Sequence, residues 1–185
     1  MGATPDTYRR GGEGMDVAFD IAESPLGRLL VAATDRGLCA VTIGDDDASL
    51  EQALRAEFHA ARVCRDSTAS LREYATVILG QLTGRAPHRD LPLDIRGTAF
   101  ERMVWDEIRR IPFGETRTYT EIASSLGRPR AVRAVAKACA ANRIAIAIPC
   151  HRVMGKDGTE RGYRWGVERK RRLLAQERRS ADGGG

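Results

Sequence analysis

Cysteine and histidine stand side by side at 150 and 151, within the run Ile148-Pro149-Cys150-His151-Arg152-Val153. A thiol attacks as its thiolate, and a nearby base or cation promotes that ionisation. Adjacent side chains of an extended chain point to opposite faces, so the two are expected not to touch directly. A water between them could carry the proton. The dipeptide by itself fits a small core cysteine beside a surface histidine better than it fits a nucleophile. The other cysteines, Cys39, Cys64 and Cys139, form no CxxC pair and no zinc-ligand spacing with it. His59, His88 and Cys64 read as scatter, so no metal site is expected. The amino terminus, Met1 to Gly14, is polar and lacks the apolar stretch of a secretory signal. The thiols therefore read as reduced, in a cytoplasm.

Charge is polarised along the chain. Residues 1–96 hold 11 Lys and Arg against 15 Asp and Glu, a net −4, and residues 97–185 hold 19 against 10, a net +9. A basic half suggests a polyanionic partner, because neutralising phosphates releases condensed counterions. No apolar run approaches the roughly 20 residues that span a bilayer, so no membrane partner is expected.

The elements that must position the cysteine follow from periodicity. In the basic half, Phe100, Val104, Ile108 and Ile111 define an amphipathic helix ended by Pro112 and Gly114. Thr118-Tyr119-Thr120-Glu121 has the form of a capping box before a short helix with Ile122, Ala123 and Leu126 inside, stopped by Gly127. A further helix follows Arg128-Pro129, with Val132, Val135, Ala136 and Cys139 at core spacing. Two short helices about a glycine turn make a helix-turn-helix, whose second helix presents Arg130, Arg133 and Lys137 among alanines. In the acidic half, Val17, Phe19 and Ile21 alternate as a half-buried strand. Leu29 to Ala33 and Leu38 to Ile43 form a hairpin about Thr34-Asp35-Arg36-Gly37. Asp47 is expected to cap a helix carrying Leu50, Leu54 and Phe58. A second helix carries Leu71, Tyr74, Ile78 and Leu82. Gly84, Pro87 and Pro92 break the pattern, and Leu91 to Ile95 reads as an extended connector.

Several separated motifs agree in order and spacing with one family. They are Gly114-Glu115-Thr116, Tyr119, Arg133-Ala134-Val135, Cys139-Ala140-Ala141-Asn142, Pro149-Cys150-His151-Arg152-Val153 and Gly162-Tyr163-Arg164-Trp165-Gly166. The sequence resembles the O6-alkylguanine-DNA alkyltransferases, above all the carboxy-terminal half of the bacterial adaptive-response protein. The likeness covers almost all of 97–177, and more weakly Gly44-Asp45-Asp46-Asp47 and Leu91 to Phe100.

That resemblance implies a two-domain α+β protein. A disordered segment 1–14 precedes a ribonuclease-H-like α/β domain, 15–96. A mostly helical winged-helix domain, 97–178, carries DNA binding and catalysis, and a disordered tail follows, 179–185. It implies a suicide methyltransferase that moves the methyl of O6-methylguanine, and of O4-methylthymine, from double-stranded DNA to Cys150. His151 would take the thiol proton through a water, and Glu177 would orient the imidazole. Asn142 would tie the helix-turn-helix to the active-site segment, and Tyr119 would hydrogen-bond the flipped guanine. Arg133 would fill the space left in the stack. Ala131 and Ala134 would let the helix approach the minor groove, flanked by Arg130 and Lys137. Val153, Tyr163, Arg164 and Trp165 would line the base pocket, where Ala145 replaces a proline of some relatives. The implied protein is a monomer that needs no cofactor and acts on nucleoid DNA. Neither the metal-binding nor the regulatory domain of the adaptive-response protein is visible, so transcriptional activation is not expected. Two other readings compete: a lesion sensor without chemistry, which Cys150 after Pro149 opposes, and a Cys-His hydrolase, which would not need the basic helix-turn-helix.

Overall fold

A computed structural model describes residues 12–66, 68–83, 90–160 and 162–182. Gly84, Pro87, His88 and the end segments 1–11 and 183–185 lie outside the described residues. Among the described residues no helix is long and apolar enough to cross a membrane. The chain divides into two compact units, one of residues 12–79 with 90–96 and the other of residues 80–83 with 97–182.

The first unit is built on a meander. Strands β1 (Asp16–Ser24), β2 (Gly27–Thr34) and β3 (Gly37–Gly44) pair antiparallel in sequence order. Strand β4 (Arg62–Arg65) adds parallel to β1, giving the order β3-β2-β1-β4. Alternation puts Val17, Phe19 and Ile21 on one face, with Phe19 opposite Ala32 and Ile21 opposite Leu30. Helix α1 (Asp47–Glu57) connects β3 to β4 and covers that face with Leu50 and Leu54, joined by Phe58. The cap of α1 is Asp46, not the expected Asp47: its carboxylate accepts from Ser49 N at 2.7 Å. Asp47 is instead the first helical residue and takes the Arg28 guanidinium, Nε–Oδ1 2.5 Å, so the neighbouring carboxylate is left to cap. Strand β4 escapes sequence reading because only Val63 of Arg62-Val63-Cys64-Arg65 is buried. Helix α2 (Ala69–Leu82) follows. The connector at Leu93 bridges to Leu38, as an extended segment does.

The second unit is mostly helical. Helix α3 (Ala99–Arg109) starts with a capping box, Thr98 with Glu101. Its buried face holds Val104, Trp105 and Ile108, whereas Phe100, expected inside, is half-buried under the Arg128 guanidinium at 5.6 Å. Trp105 Nε1 donates to Ala138 O at 2.8 Å, tying α3 to the helix that follows the turn. Strand β5 (Arg117–Thr118) leads into α4 (Tyr119–Ser125), opened by the expected Thr118–Glu121 capping box. Gly127, at φ 67°, turns the chain toward α5 (Val132–Ala141). A single 3-10 turn (Cys150–Arg152) follows, then β6 (Val153–Met154), parallel to β5, and α6 (Val167–Asp182). Helix α6 continues through Asp182, so 179–182, expected as disordered tail, is helical.

Gly37 is the tightest backbone position of the sheet unit. Its φ is 139°, and a Cβ there would run into the Pro92 carbonyl. Gly37→Ala combines that collision with a conformation costing about 1–3 kcal/mol for an L-residue. The expected outcome is a loss of at least ~2 kcal/mol in urea unfolding, with an unchanged m-value.

Candidate active site

Cys150 and His151 do not lie on an extended strand, as expected, but on the 3-10 turn, where both are buried. The turn satisfies its own backbone, with Arg152 N donating to Pro149 O at 2.9 Å. This geometry follows from proline at 149, which fixes φ ahead of the cysteine.

Asn142, wholly buried at the end of α5, organises the seven residues that lead to the turn. Its Oδ1 accepts from Ile144 N at 2.8 Å, and its Nδ2 donates to Ile148 O at 2.9 Å and to Cys150 Sγ at 3.2 Å. Ile146, inside this loop, sits at φ 70°, a left-handed conformation that a β-branched residue adopts only under constraint. Burial pushes the Cys150 thiol well up, and contact with the Cys139 thiol adds to that. The Asn142 amide and the Lys170 charge pull the other way without overcoming it. At rest the residue is therefore a thiol and needs a proton acceptor to react.

The neighbouring His151 belongs to a buried charge cluster. His151 Nε2 lies 2.8 Å from Glu177 Oε1. Arg152 reaches the same carboxylate with Nε (3.2 and 3.0 Å) and Nη2 (3.0 Å), and Gly114 N donates to Oε2 at 3.1 Å. Burial opposes the charged form of Glu177, but hydrogen bonds and charge from His151 and Arg152 outweigh it and hold the carboxyl down at about 2. For His151 burial is the largest influence and lowers its affinity for a proton. Glu177 favours the charged ring, while Arg152 and Lys170 oppose it, and the outcome is a depressed value. A neutral imidazole facing an ionised carboxylate must carry its hydrogen on Nε2. Nδ1 is then a bare acceptor, and it is buried without a hydrogen-bond partner among the described residues.

The other sequence-derived residues fall into two groups. Tyr119 is half-buried, and burial, with the Cys139 and Cys150 thiols adding to it, pushes its hydroxyl up to about 12. Val153 is buried. The buried Tyr163 hydroxyl has no partner among the described residues. Its ring lies edge-on to His151 at 6.3 Å and to the buried Trp165 at 5.1 Å. Ala145 is buried in the loop, and Arg164 is exposed, with Nη1 donating to Ala140 O at 3.3 Å. On the helix-turn-helix, Arg130, Arg133, Ala134 and Lys137 are exposed and Ala131 half-buried, while Val135, Ala138 and Cys139 face inward. Among the described residues no group of three His, Cys, Asp or Glu could hold a metal.

Two buried cations of the site were not legible. Arg152 and Lys170 belong to a chain half crowded with basic residues, where a buried one looks like its solvated neighbours. Lys170 is 0% exposed and donates from Nζ to Val153 O at 2.6 Å, joining α6 to the strand after the turn. Helical spacing from Leu173, Leu174 and Glu177 was the available signal, since 170, 173, 174 and 177 share one face.

Comparison with known proteins agrees with this picture over both units. Residues 17–95 match the family described as 6-O-methylguanine DNA methyltransferase, ribonuclease-like domain, and residues 99–179 the one described as its DNA binding domain. A methylated-DNA–protein-cysteine methyltransferase of Methanosarcina barkeri (strain Fusaro) is 42% identical over 159 residues, 86% of this chain and 96% of its own length. The bifunctional transcriptional activator/DNA repair enzyme Ada of Escherichia coli (strain K12) is 49% identical over 179 residues, 96% of this chain and 50% of that protein. The chain thus spans about half the length of Ada and of the similar regulatory protein ada of Salmonella typhimurium. The crystal structure of Mycobacterium tuberculosis OGT in complex with DNA superposes with a TM-score of 0.73 at 32% identity, covering 89% of this chain and 94% of that one. A ribonuclease-like part followed by a DNA-binding part defines a class of two-part alkyltransferase folds. This chain belongs to the O6-methylguanine-DNA methyltransferase family.

The depressed Glu177 carboxyl makes stability depend on acid. Its folded value near 2 lies below the unfolded 4.5, so its contribution is fully present above pH 4.5 and is lost as pH falls through 2. Neutral His151, lowered from 6.5, acts in the same direction below that value. Glu177→Gln is expected to cost about 3 kcal/mol at pH 7 and progressively less between pH 4.5 and 2, read as the melting-temperature difference from the parent across that range.

Proposed function

We propose that the chain is a single-turnover DNA-repair methyltransferase that moves the methyl group of O6-methylguanine in double-stranded DNA to Cys150, with O4-methylthymine as a further substrate. The observation that carries this reading is a buried thiol held by Asn142, next in sequence to a buried histidine whose Nδ1 has no hydrogen-bond partner among the described residues. The M. tuberculosis relative is named in complex with DNA, and the M. barkeri relative as a methylated-DNA–protein-cysteine methyltransferase.

The first unit is read as ribonuclease-H-like and the second as a winged helix, with β5 and β6 as its small sheet. The exposed face of α5 enters the minor groove. There Ala131 and Ala134 allow close approach, Arg130 and Lys137 meet phosphates, and Arg133 takes the place of the extruded base. Tyr119, Val153, Tyr163, Arg164 and Trp165 enclose that base.

The thiol proton passes through a water to His151 Nδ1, while Glu177 keeps the Nε2–H in place. The thiolate attacks the methyl carbon in line with the O6–carbon bond. A sulfur–carbon bond forms, and the electrons of the broken bond stay on the guanine. Tyr119, kept as the phenol by burial, donates a proton to the departing base. The proton held on His151 then passes to solvent and the Tyr119 oxygen takes one back, so both groups are restored and the net change is one proton moved from thiol to base. The thioether does not exchange as a disulfide does, and the protein is spent. The methyl group arrives already bonded to a good leaving group, so the step needs no cofactor. The protein acts as a monomer on nucleoid DNA in the cytoplasm.

Incubation with a duplex carrying O6-methylguanine is expected to add the mass of one methylene unit (hydrogen replaced by methyl) per chain, mapped to Cys150 and absent in Cys150→Ser. Intact-mass spectrometry reads it. Duplex binding without mass gain would make the chain a lesion sensor, and multiple turnovers without DNA would make it a hydrolase. Arg133→Ala should slow transfer at least ~10-fold on duplex and far less on a short single strand, where extrusion costs little. Equal slowing on both substrates would remove Arg133 from the extrusion step.

A further inference from the structure

The buried cluster around Glu177 holds one residue more than a cysteine–histidine–carboxylate set requires. A buried carboxylate paired only with an imidazole favours the protonated ring, since opposite charges within about 4–6 Å stabilise each other. A ring protonated at rest would have no lone pair for the Cys150 proton. In this chain Glu177 also receives three guanidinium contacts, two from Arg152 Nε (3.2 and 3.0 Å) and one from Nη2 (3.0 Å). Arg152 is only 5% exposed and is anchored by Nη1 to Ile111 O at 2.8 Å, so the guanidinium cannot swing away to solvent without breaking that bond. Glu177 and Arg152 together carry no net charge. Adding a proton to His151 would leave an uncompensated positive charge in a buried site that already holds Lys170.

We propose that Arg152 is a positioning residue: by neutralising Glu177 it keeps His151 as the Nε2–H tautomer with an empty Nδ1, so that a proton acceptor stands ready beside Cys150 in mildly acidic as well as neutral surroundings. The proposal deepens the reading of His151 as proton acceptor and rests on it. The groups facing the ring are Glu177 and Lys170 on α6, Arg152 on its own turn, and Tyr163 from the following loop. Of these only Arg152 touches the carboxylate that orients the ring. Arg152 touches neither the base nor the sulfur, so its effect must appear in the protonation of His151 and not in a pH-independent loss of rate.

The ring titration of His151, followed by NMR on histidine-labelled protein, tests this directly. In the parent His151 should titrate below the ordinary histidine value near 6.5. Arg152→Gln should move its titration up by about one pH unit or more, and Arg152→Lys, which keeps the charge, should move it much less. Methyl-transfer rates should follow. Arg152→Gln loses about 10-fold more rate than the parent when the pH is lowered by a unit through the new titration. A folded Arg152→Gln with an unmoved His151 titration, or with equal slowing at every pH, overturns the proposal. Should that variant not fold, the same change in a Glu177→Gln chain strands no carboxylate. There Arg152 has no carboxylate to neutralise, so the added Arg152→Gln must move the titration by much less than that unit, and the parent decides: a His151 that protonates at or above the ordinary value near 6.5 overturns the proposal. The titration is read on the protein without DNA. A chain that proves to be a lesion sensor would therefore sink the catalytic reading without deciding this one.

Discussion

Everything in the second unit that bears on chemistry converges on one buried carboxylate. Glu177 is contacted by the loop after α3 through Gly114 N and by the cysteine turn through His151 and Arg152. A charge removed from water is tolerable only when its lone pairs are engaged on several sides. Satisfying Glu177 therefore fixes where three segments meet. The helix-turn-helix is connected to the same point through Asn142, which ends α5 and reaches the sulfur. The exposed face of α5 and the buried thiol are thus opposite ends of one short, hydrogen-bonded path.

The same packing explains how an unreactive resting thiol can serve. Burial opposes ionisation of Cys150, and burial together with the cations opposes protonation of His151. Neither group is charged at rest, so the interior carries few unbalanced charges. On the proposed mechanism proton separation creates a thiolate near Lys170, while Glu177, shared with Arg152, keeps the ring hydrogen fixed at Nε2. Oriented partners of this kind need no reorganisation when charge develops.

Much of this architecture was legible, and the exceptions share a cause. Elements whose outer and inner faces differ in polarity announced themselves, such as the meander strands and the helix-turn-helix with its Thr118–Glu121 box. Strand β4 did not, because its partners are backbone atoms and three of its four residues face outward. The Asp46 cap was displaced by one residue because three aspartates in a row offer the same side chain, and only the distant Arg28 decides between them. The cysteine turn was read as extended, since a single 3-10 turn leaves no periodicity. Among candidate site residues, Cys150 and His151 stand out as an adjacent thiol and imidazole, whereas Glu177 and Asn142 came from the family likeness, not from pattern. Arg152 and Lys170 were missed because burial of a basic side chain leaves no mark on composition.

Asn142 also limits how this scaffold can vary. Its amide uses one acceptor and two donors at a fixed reach, toward Ile144 N, Ile148 O and Cys150 Sγ. Aspartate has the reach but no donor, and would set a negative charge against the sulfur. Glutamine has the groups on a longer arm, and serine has a single hydrogen to give. With Ile146 already held in a left-handed backbone, the loop has little slack with which to accommodate a substitute. Position 142 is therefore a word with no synonym among the twenty amino acids, and a library that varies the loop freely must leave that letter alone.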